Sequence, residues 1–162
     1  MKNILSTLVM ISLAVLTGIL ISKFIIFRTT VEGGSMEPTY YDGESHMVLT
    51  TFWVDLFDDG IHYGDVVIIE KEDETGYMIK RVIGAPGDTV YIQDSKLYVN
   101  DVMLDEPYIK GEEFPAGIAC EPVKLGVEEY FVMGDNRAIS YDSREFGAVS
   151  KNRIVGVVIG DK

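Results

Sequence analysis

The chain has 162 residues, of which 47% are hydrophobic and 25% charged, and it carries a formal net charge of −12. This balance suits one packed domain of modest size and excludes a disordered chain or a repeat array. The acidity argues against a nucleic-acid binder, and the single cysteine, Cys120, excludes an internal disulfide and a cysteine-based metal cluster.

Asn3 to Ser22 is a run of 20 residues without an ionisable group, and apolar character resumes after Lys23 with Phe24-Ile25-Ile26-Phe27. A helix of about 20 such residues crosses the hydrocarbon layer. Residues 1–28 are therefore expected to form a short N-terminus and a transmembrane anchor, with Lys23 snorkelling toward the headgroups. A cleaved secretory signal would have a shorter apolar stretch followed by a small-x-small site, and Phe24–Arg28 offers none. A buried core helix would show a polar face, which this run lacks. Charge does not orient the segment, because Lys2 and the α-amino group flank one end and Lys23 and Arg28 the other. All 26 acidic residues lie beyond Arg28. They would be repelled by anionic headgroups, so membrane contact is expected from an apolar patch. Phe52, Trp53 and Phe57 are candidates for that patch, or equally for the core.

Residues 29–45 read as a loop rich in Gly, Ser, Pro and Asp. Seven short segments then read as strands, rich in Val, Ile, Tyr and Phe and separated by Gly, Asp and Pro: His46–Trp53, Asp65–Glu70, Tyr77–Ile83, Thr89–Gln93, Lys96–Val99, Tyr130–Met133 and Arg153–Ile159. Asp94-Ser95 and Asn100-Asp101 read as hairpin turns. Residues 102–126 read as an irregular excursion. No amphipathic helical period of any length follows residue 28. The expectation is a mostly β domain of curved antiparallel sheets with an almost helix-free core.

Three segments can carry chemistry. Ser35 sits in a Gly33-Gly34-Ser35-Met36 turn, where glycines let the backbone approach a ligand; alone, such a serine reads as a loop residue. A nucleophilic serine needs a base. The histidines, His46 and His62, have no motif around them. Lys80 alternates with Met78 and Val82 on one strand face. Burial there would lower its pKa toward neutrality and let it accept a proton; on pattern alone it also reads as an edge-strand lysine. The third segment, Gly134 to Gly147, is dense in small polar groups. Asp142 and Arg144 are suited to a bidentate pair, and Ser140 to a hydrogen bond with an amine. Asp135, Asn136 and Arg137 read as a structural turn network. No Asp-x-Asp-x-Asp-Gly loop accompanies Asp135 and Asp142, so no metal site is expected.

Taken in this order behind an anchor, Gly34-Ser35-Met36-Glu37-Pro38-Thr39, Lys80-Arg81-Val82-Ile83-Gly84-Ala85-Pro86-Gly87-Asp88 and Gly134-Asp135-Asn136-Arg137 through Gly147 resemble the bacterial type I signal peptidase (leader peptidase) family, of the Gram-positive kind. Gly64-Asp65-Val66-Val67 adds to the likeness, which is weakest over 89–126. The resemblance implies a fold of the signal-peptidase type and a serine endopeptidase domain over 29–162, with about 89–126 a variable insert. It implies removal of N-terminal signal peptides from exported preproteins at small-x-small sites, through an acyl-enzyme.

By position, the resemblance makes Ser35 the nucleophile and Lys80 the general base. Ser140 would orient the amine, and Asp142 with Arg144 would support the site. Met36, Val31, Met78 and Ile79 would line the substrate cleft. The oxyanion positions are Ser35, through its N–H, and Gly33, where some members carry a serine hydroxyl; with glycine there, the second donor must come from elsewhere or be absent. Tyr40 and Ala85 each replace a common leucine. No cofactor is implied. The implied setting is the cytoplasmic membrane, single-pass with the N-terminus inside and the domain outside, beside lipids and near the secretion translocon. Another Ser–Lys peptidase, such as a self-cleaving repressor or a specialised pilin or conjugation-protein processor, and a tethered peptide-binding domain are the alternatives.

Overall fold

The computed structural model describes residues 2–57, 59–73, 75–109 and 120–160, with the side chains of 2–3, 20–24 and 57 outside the description. The expectations for Lys23 and Phe57 therefore lie outside the described residues, as does the middle of the 102–126 excursion. In chain order the elements are α1 (Lys2–Ile25), β1 (Ile26–Thr30), β2 (Ser45–Thr50), α2 (Thr51–Phe57), β3 (Val66–Glu70), β4 (Tyr77–Gly84), β5 (Thr89–Gln93), β6 (Lys96–Val99), β7 (Val102–Met103), β8 (Cys120–Lys124), β9 (Glu129–Met133), α3 (Ser143–Phe146), β10 (Val149–Ser150) and β11 (Ile154–Val158).

α1 presents Leu5, Val9, Leu13 and Leu16, among other large apolar side chains, to its surroundings. Among the described residues no helix is long and apolar enough to cross a membrane. The helix stops at Ile25, earlier than the 1–28 anchor expected from the sequence. The chain then becomes extended, where Ile26-Phe27 and Thr29-Thr30 favour a pleated strand, and β1 joins the sheet by pairing with β2. Ile26, Phe27 and Arg28 thus belong to the β domain.

The strands form two antiparallel sheets, as expected of a mostly β fold. The larger has the order β1-β2-β11-β3-β4-β9-β10, the smaller β7-β6-β5-β8. β3 is buried on both faces. Val67 and Ile69 point into one core cluster with Val82 and Val132, and Val66 and Ile68 into a second with Val31, Met36, Tyr40 and Ile79. A third cluster, with Val90, Ile92, Leu97 and Phe131, joins the smaller sheet to the end of the larger. Strands β5, β6 and β8 are therefore packed against the main sheet and share its core.

Three departures from the sequence reading have physical causes. The strand expected through Trp53 ends at Thr50, whose pairing with Gly156 is the last of the β2–β11 ladder. Thr51 donates its hydroxyl to the Ile154 carbonyl and opens α2, which buries Val54 and exposes Phe52. β8 was hidden by Pro122, which removes a ladder donor. It is tolerated because β8 is an edge strand whose register slips opposite Tyr91. α3 is too short to show a period and is made by its cap: Asp142 accepts from the Arg144 N–H, and Glu145 accepts from the Asp142 N–H. The hairpins at Asp94-Ser95 and Asn100-Asp101 form as expected, all four residues having positive φ.

Twist in the larger sheet sets up the site. β1 and β4 are separated by β2, β11 and β3, yet both line one cleft. β1 has an unpaired outer edge in the sheet. β4 pairs with β9 only from Arg81 onward, which leaves Tyr77–Lys80 unpaired on that side among the described residues.

Candidate active site

The turn that carries Ser35 is seated by its neighbours. Met36 is fully buried (0% exposed) among Val31, Tyr40 and Val48. This side chain pins the loop from below and leaves Ser35 at the surface of the cleft. From above, the Asn136 N–H donates to the Ser35 carbonyl at 3.1 Å, and the Asn136 side-chain amide donates to the Gly34 carbonyl at 3.1 Å. Gly134 is needed for this closeness, since a Cβ there would lie 2.4 Å from the Ser35 carbonyl oxygen and 2.2 Å from Ser140 Oγ.

Lys80 comes from β4 and is 4% exposed. Its Nζ lies 2.9 Å from Ser35 Oγ, across 45 residues of sequence. Burial is the largest influence on this amine and pulls its pKa down to about 8; the nearby Asp142 pulls the other way, and Arg144 adds to the lowering. Asp142 does not restore the ammonium because its charge is already matched. Its two oxygens accept from Arg144 Nε at 2.8 Å, Arg144 Nη2 at 2.9 Å and the Gly134 N–H at 3.0 Å. An amine largely stripped of water, poised near neutrality and touching a hydroxyl can act as a general base.

The loop from Gly134 to Ser143 is held by three Arg–carboxylate pairs. Besides Asp142–Arg144, Arg81 grips Asp135 at 2.9 and 2.6 Å and donates to the Gly64 carbonyl at 2.8 Å. Arg137 grips Glu106 at 2.8 and 2.5 Å and donates to the Gly134 carbonyl at 3.0 Å. The Arg137 carbonyl in turn accepts from Arg144 Nη1. Asp135, Asn136 and Arg137 thus form the structural network the sequence suggested. Glu106 was missed, since nothing in the 102–126 stretch marks it as the partner of a residue in another loop.

The cleft has a volume of about 630 Å³ and includes Ser35, Lys80, Val31, Met78 and Ile79 in its lining. Met36, expected there, is instead a core residue. Ile139 and Tyr141 line the cleft without having been anticipated; they flank Ser140 and are exposed, and no periodicity in a turn would have singled them out. The Gly33 N–H is taken by Asp42 Oδ1 at 2.8 Å, with Gly33 at positive φ (81°), so this N–H does not face an incoming carbonyl. The Ser35 N–H has no partner among the described residues. Ser140 Oγ is buried without a hydrogen-bond partner, so the structure places Ser140 beside the Ser35 loop but does not pair it with Lys80. His46 packs on Tyr40, and His62 lies by Asp65; neither lines the cleft. Among the described residues no group of acidic, His or Cys side chains is arranged to hold a metal.

Comparison with known proteins gives a consistent picture. Residues 2–160 match the family model described as signal peptidase, peptidase S26. The chain is 42% identical over 154 residues to signal peptidase I T of Bacillus subtilis (strain 168), covering 90% of this chain and 78% of that protein. It is 40% identical over 155 residues to signal peptidase I of Bacillus licheniformis, covering 90% and 81%. The crystal structure of a signal peptidase I from Enterococcus faecalis V583 is similar at a TM-score of 0.51 and 32% identity, over 60% of this chain and 95% of that one.

Proposed function

The chain belongs to the signal peptidase family, peptidase S26, and on that premise we propose that Ser35 and Lys80 are its catalytic dyad. It is a serine endopeptidase of the bacterial type I, Gram-positive-like kind and removes signal peptides from preproteins. The observation that carries the dyad is the 2.9 Å contact between a buried amine and the Ser35 hydroxyl.

In the mechanism, neutral Lys80 Nζ takes the proton from Ser35 Oγ as the oxygen attacks the scissile carbonyl carbon. The Ser35 N–H donates to the developing oxyanion. The lysine ammonium then gives its proton to the leaving amine, which departs as the new N-terminus of the mature protein, and the signal peptide remains as an ester on Ser35. Lys80 next takes a proton from water, which attacks the ester carbonyl, and the serine is restored. Ser140, with its buried hydroxyl otherwise unpartnered, steadies the amine after a turn about its χ1. Asp142 and Arg144 fix the wall behind Lys80.

The substrate lies extended between the free edges of β1 and β4. Its first and third side chains before the cut face Val31 and Ile79, which leave room for Ala-sized groups.

We also propose that residues 1–25 anchor the domain in the cytoplasmic membrane by a single pass, N-terminus inside, with residues 26–162 on the outer face beside lipids and near the secretion translocon. Support comes from the 24-residue length of α1, about 36 Å at ~1.5 Å per residue against a hydrocarbon layer of ~30 Å. Leu5, Val9, Leu13 and Leu16 on it are exposed, and the sequence holds no ionisable group from Asn3 to Ser22. In cells, the chain is expected to stay in the membrane pellet after an alkaline carbonate wash; release into the supernatant would remove the anchor.

The dyad is tested by a rate profile. The full chain in detergent should cleave a peptide carrying an Ala-Gly-Ala site. A base must be uncharged, and a lysine held at about 8 is protonated below that pH. The value of kcat/KM should therefore climb about tenfold per pH unit below about 8 and level off above it. A profile flat between about pH 6 and 9 is incompatible with Lys80 as the base.

A further inference from the structure

Beside the cleft lies a second groove of about 350 Å³, lined by Met78, Tyr141 and Phe146 together with the charged residues Lys71, Glu72, Asp73 and Arg153. The two depressions adjoin at Lys71, Met78 and Tyr141, which line both. Resting on the reading of the cleft given above, we infer that this groove is the subsite for the second residue before the cut, and that it takes a bulky apolar or aromatic side chain.

Met78 and Ile79 are neighbours on one strand, so their side chains leave opposite faces of the sheet. The packing agrees: Ile79 shares a cluster with Val31 and Ile68, whereas Met78 and Phe146 pack against the other cluster, that of Val67, Ile69 and Val82. A peptide laid along the free edge of β4 obeys the same alternation. If its first and third side chains enter the Val31–Ile79 side, its second must leave on the Met78 side, where the groove opens.

The lining sets the chemistry. Tyr141 meets Phe146 edge to face, with centroids 5.3 Å apart and planes at 68°, so the two rings form one apolar wall opposite Met78. Tyr141 is 63% exposed in the absence of substrate, so a bound side chain would cover ring surface that is now wet. Of the two cations in the lining, Lys71 and Arg153, the second donates to the Glu70 carbonyl and to Glu72. Glycine would leave the groove empty. The volume is at the small end of ligand pockets and matches one large side chain.

The test compares two peptides, identical except for the middle residue of an Ala-x-Ala site, with x either phenylalanine or glycine. Both are offered to the full chain in detergent as wild type, Tyr141→Ala and Tyr141→Phe. The wild type is expected to favour phenylalanine by about tenfold in kcat/KM, an ordinary return for filling an apolar pocket. Tyr141→Ala should cut that ratio to about twofold, and Tyr141→Phe should keep it, since the ring and not the hydroxyl makes the wall. The readout is a ratio within one protein, so a general loss of folded enzyme does not move it. Equal rates for the two peptides in wild type, or a ratio indifferent to Tyr141→Ala, would overturn the subsite while leaving the dyad intact. Failure of wild type to cut either peptide would overturn the peptidase reading, and the subsite with it.

Discussion

Replacing Lys80 by methionine is expected to lower kcat by about 10⁴-fold or more with little change in the folded structure. Methionine is unbranched and of similar length, and the site is almost wholly buried, so the change removes a group that burial already disfavours as an ion. What is lost is the one base in contact with Ser35 Oγ. Lys80→Arg should fare no better, because a guanidinium stays protonated at any working pH. Ser35→Ala should lose as much as Lys80→Met, and the double variant should be no worse than either single one, since residues that act as a unit do not add. Single-turnover cleavage of the Ala-Gly-Ala peptide, with thermal melting to confirm folding, separates chemistry from stability. A folded Lys80→Met protein that kept more than about a tenth of the wild-type rate would require a different base, and neither histidine is positioned to be one.

How much of this was legible in the sequence varies by feature. Hairpin turns were legible because Asp-Ser and Asn-Asp tolerate the left-handed backbone that a two-residue loop demands. Strands β5 and β6 were legible to the residue for the same reason. α2 was not, since Thr51–Phe57 is rich in strand formers. The dyad was visible as a resemblance of motifs; a strand pattern by itself could not say whether Lys80 was buried or on a wet edge. Met36 was misplaced because adjacency to a nucleophile suggests a cleft wall, whereas here the turn needs an apolar plug beneath it. That Asp42, nine residues on, takes the Gly33 N–H was not visible in the turn's sequence either. Ile139 and Tyr141 depend on how a turn sits over a cleft formed by distant strands, and no local signal reports that.

Glu106 is the clearest case of an invisible long-range partner, and it carries the largest expected stability effect. Its carboxylate and the Arg137 guanidinium are each 1% exposed and form two hydrogen bonds. Tyr108 donates its hydroxyl to the same carboxylate and lays its ring on the Arg81 guanidinium, 4.1 Å from the centroid. The segment between β7 and β8 is thereby tied to two arginines that hold the loop from Gly134 to Ser143. Glu106→Gln leaves a buried guanidinium facing a neutral amide, and breaking one side of such a pair costs about 3–5 kcal/mol. For a chain of this size that corresponds to a melting temperature lower by about 10 °C. The double change Glu106→Leu with Arg137→Met removes both charges and should recover at least half of the loss, because an apolar pair of similar volume does not pay for stranded charge. It should not recover all of it, since the Arg137 bond to the Gly134 carbonyl and the Tyr108 bond to Glu106 are gone as well. Melting curves of the three proteins decide the matter. A Glu106→Gln protein that melts within about a degree of wild type would mean that this pair does not tie the two parts of the fold together.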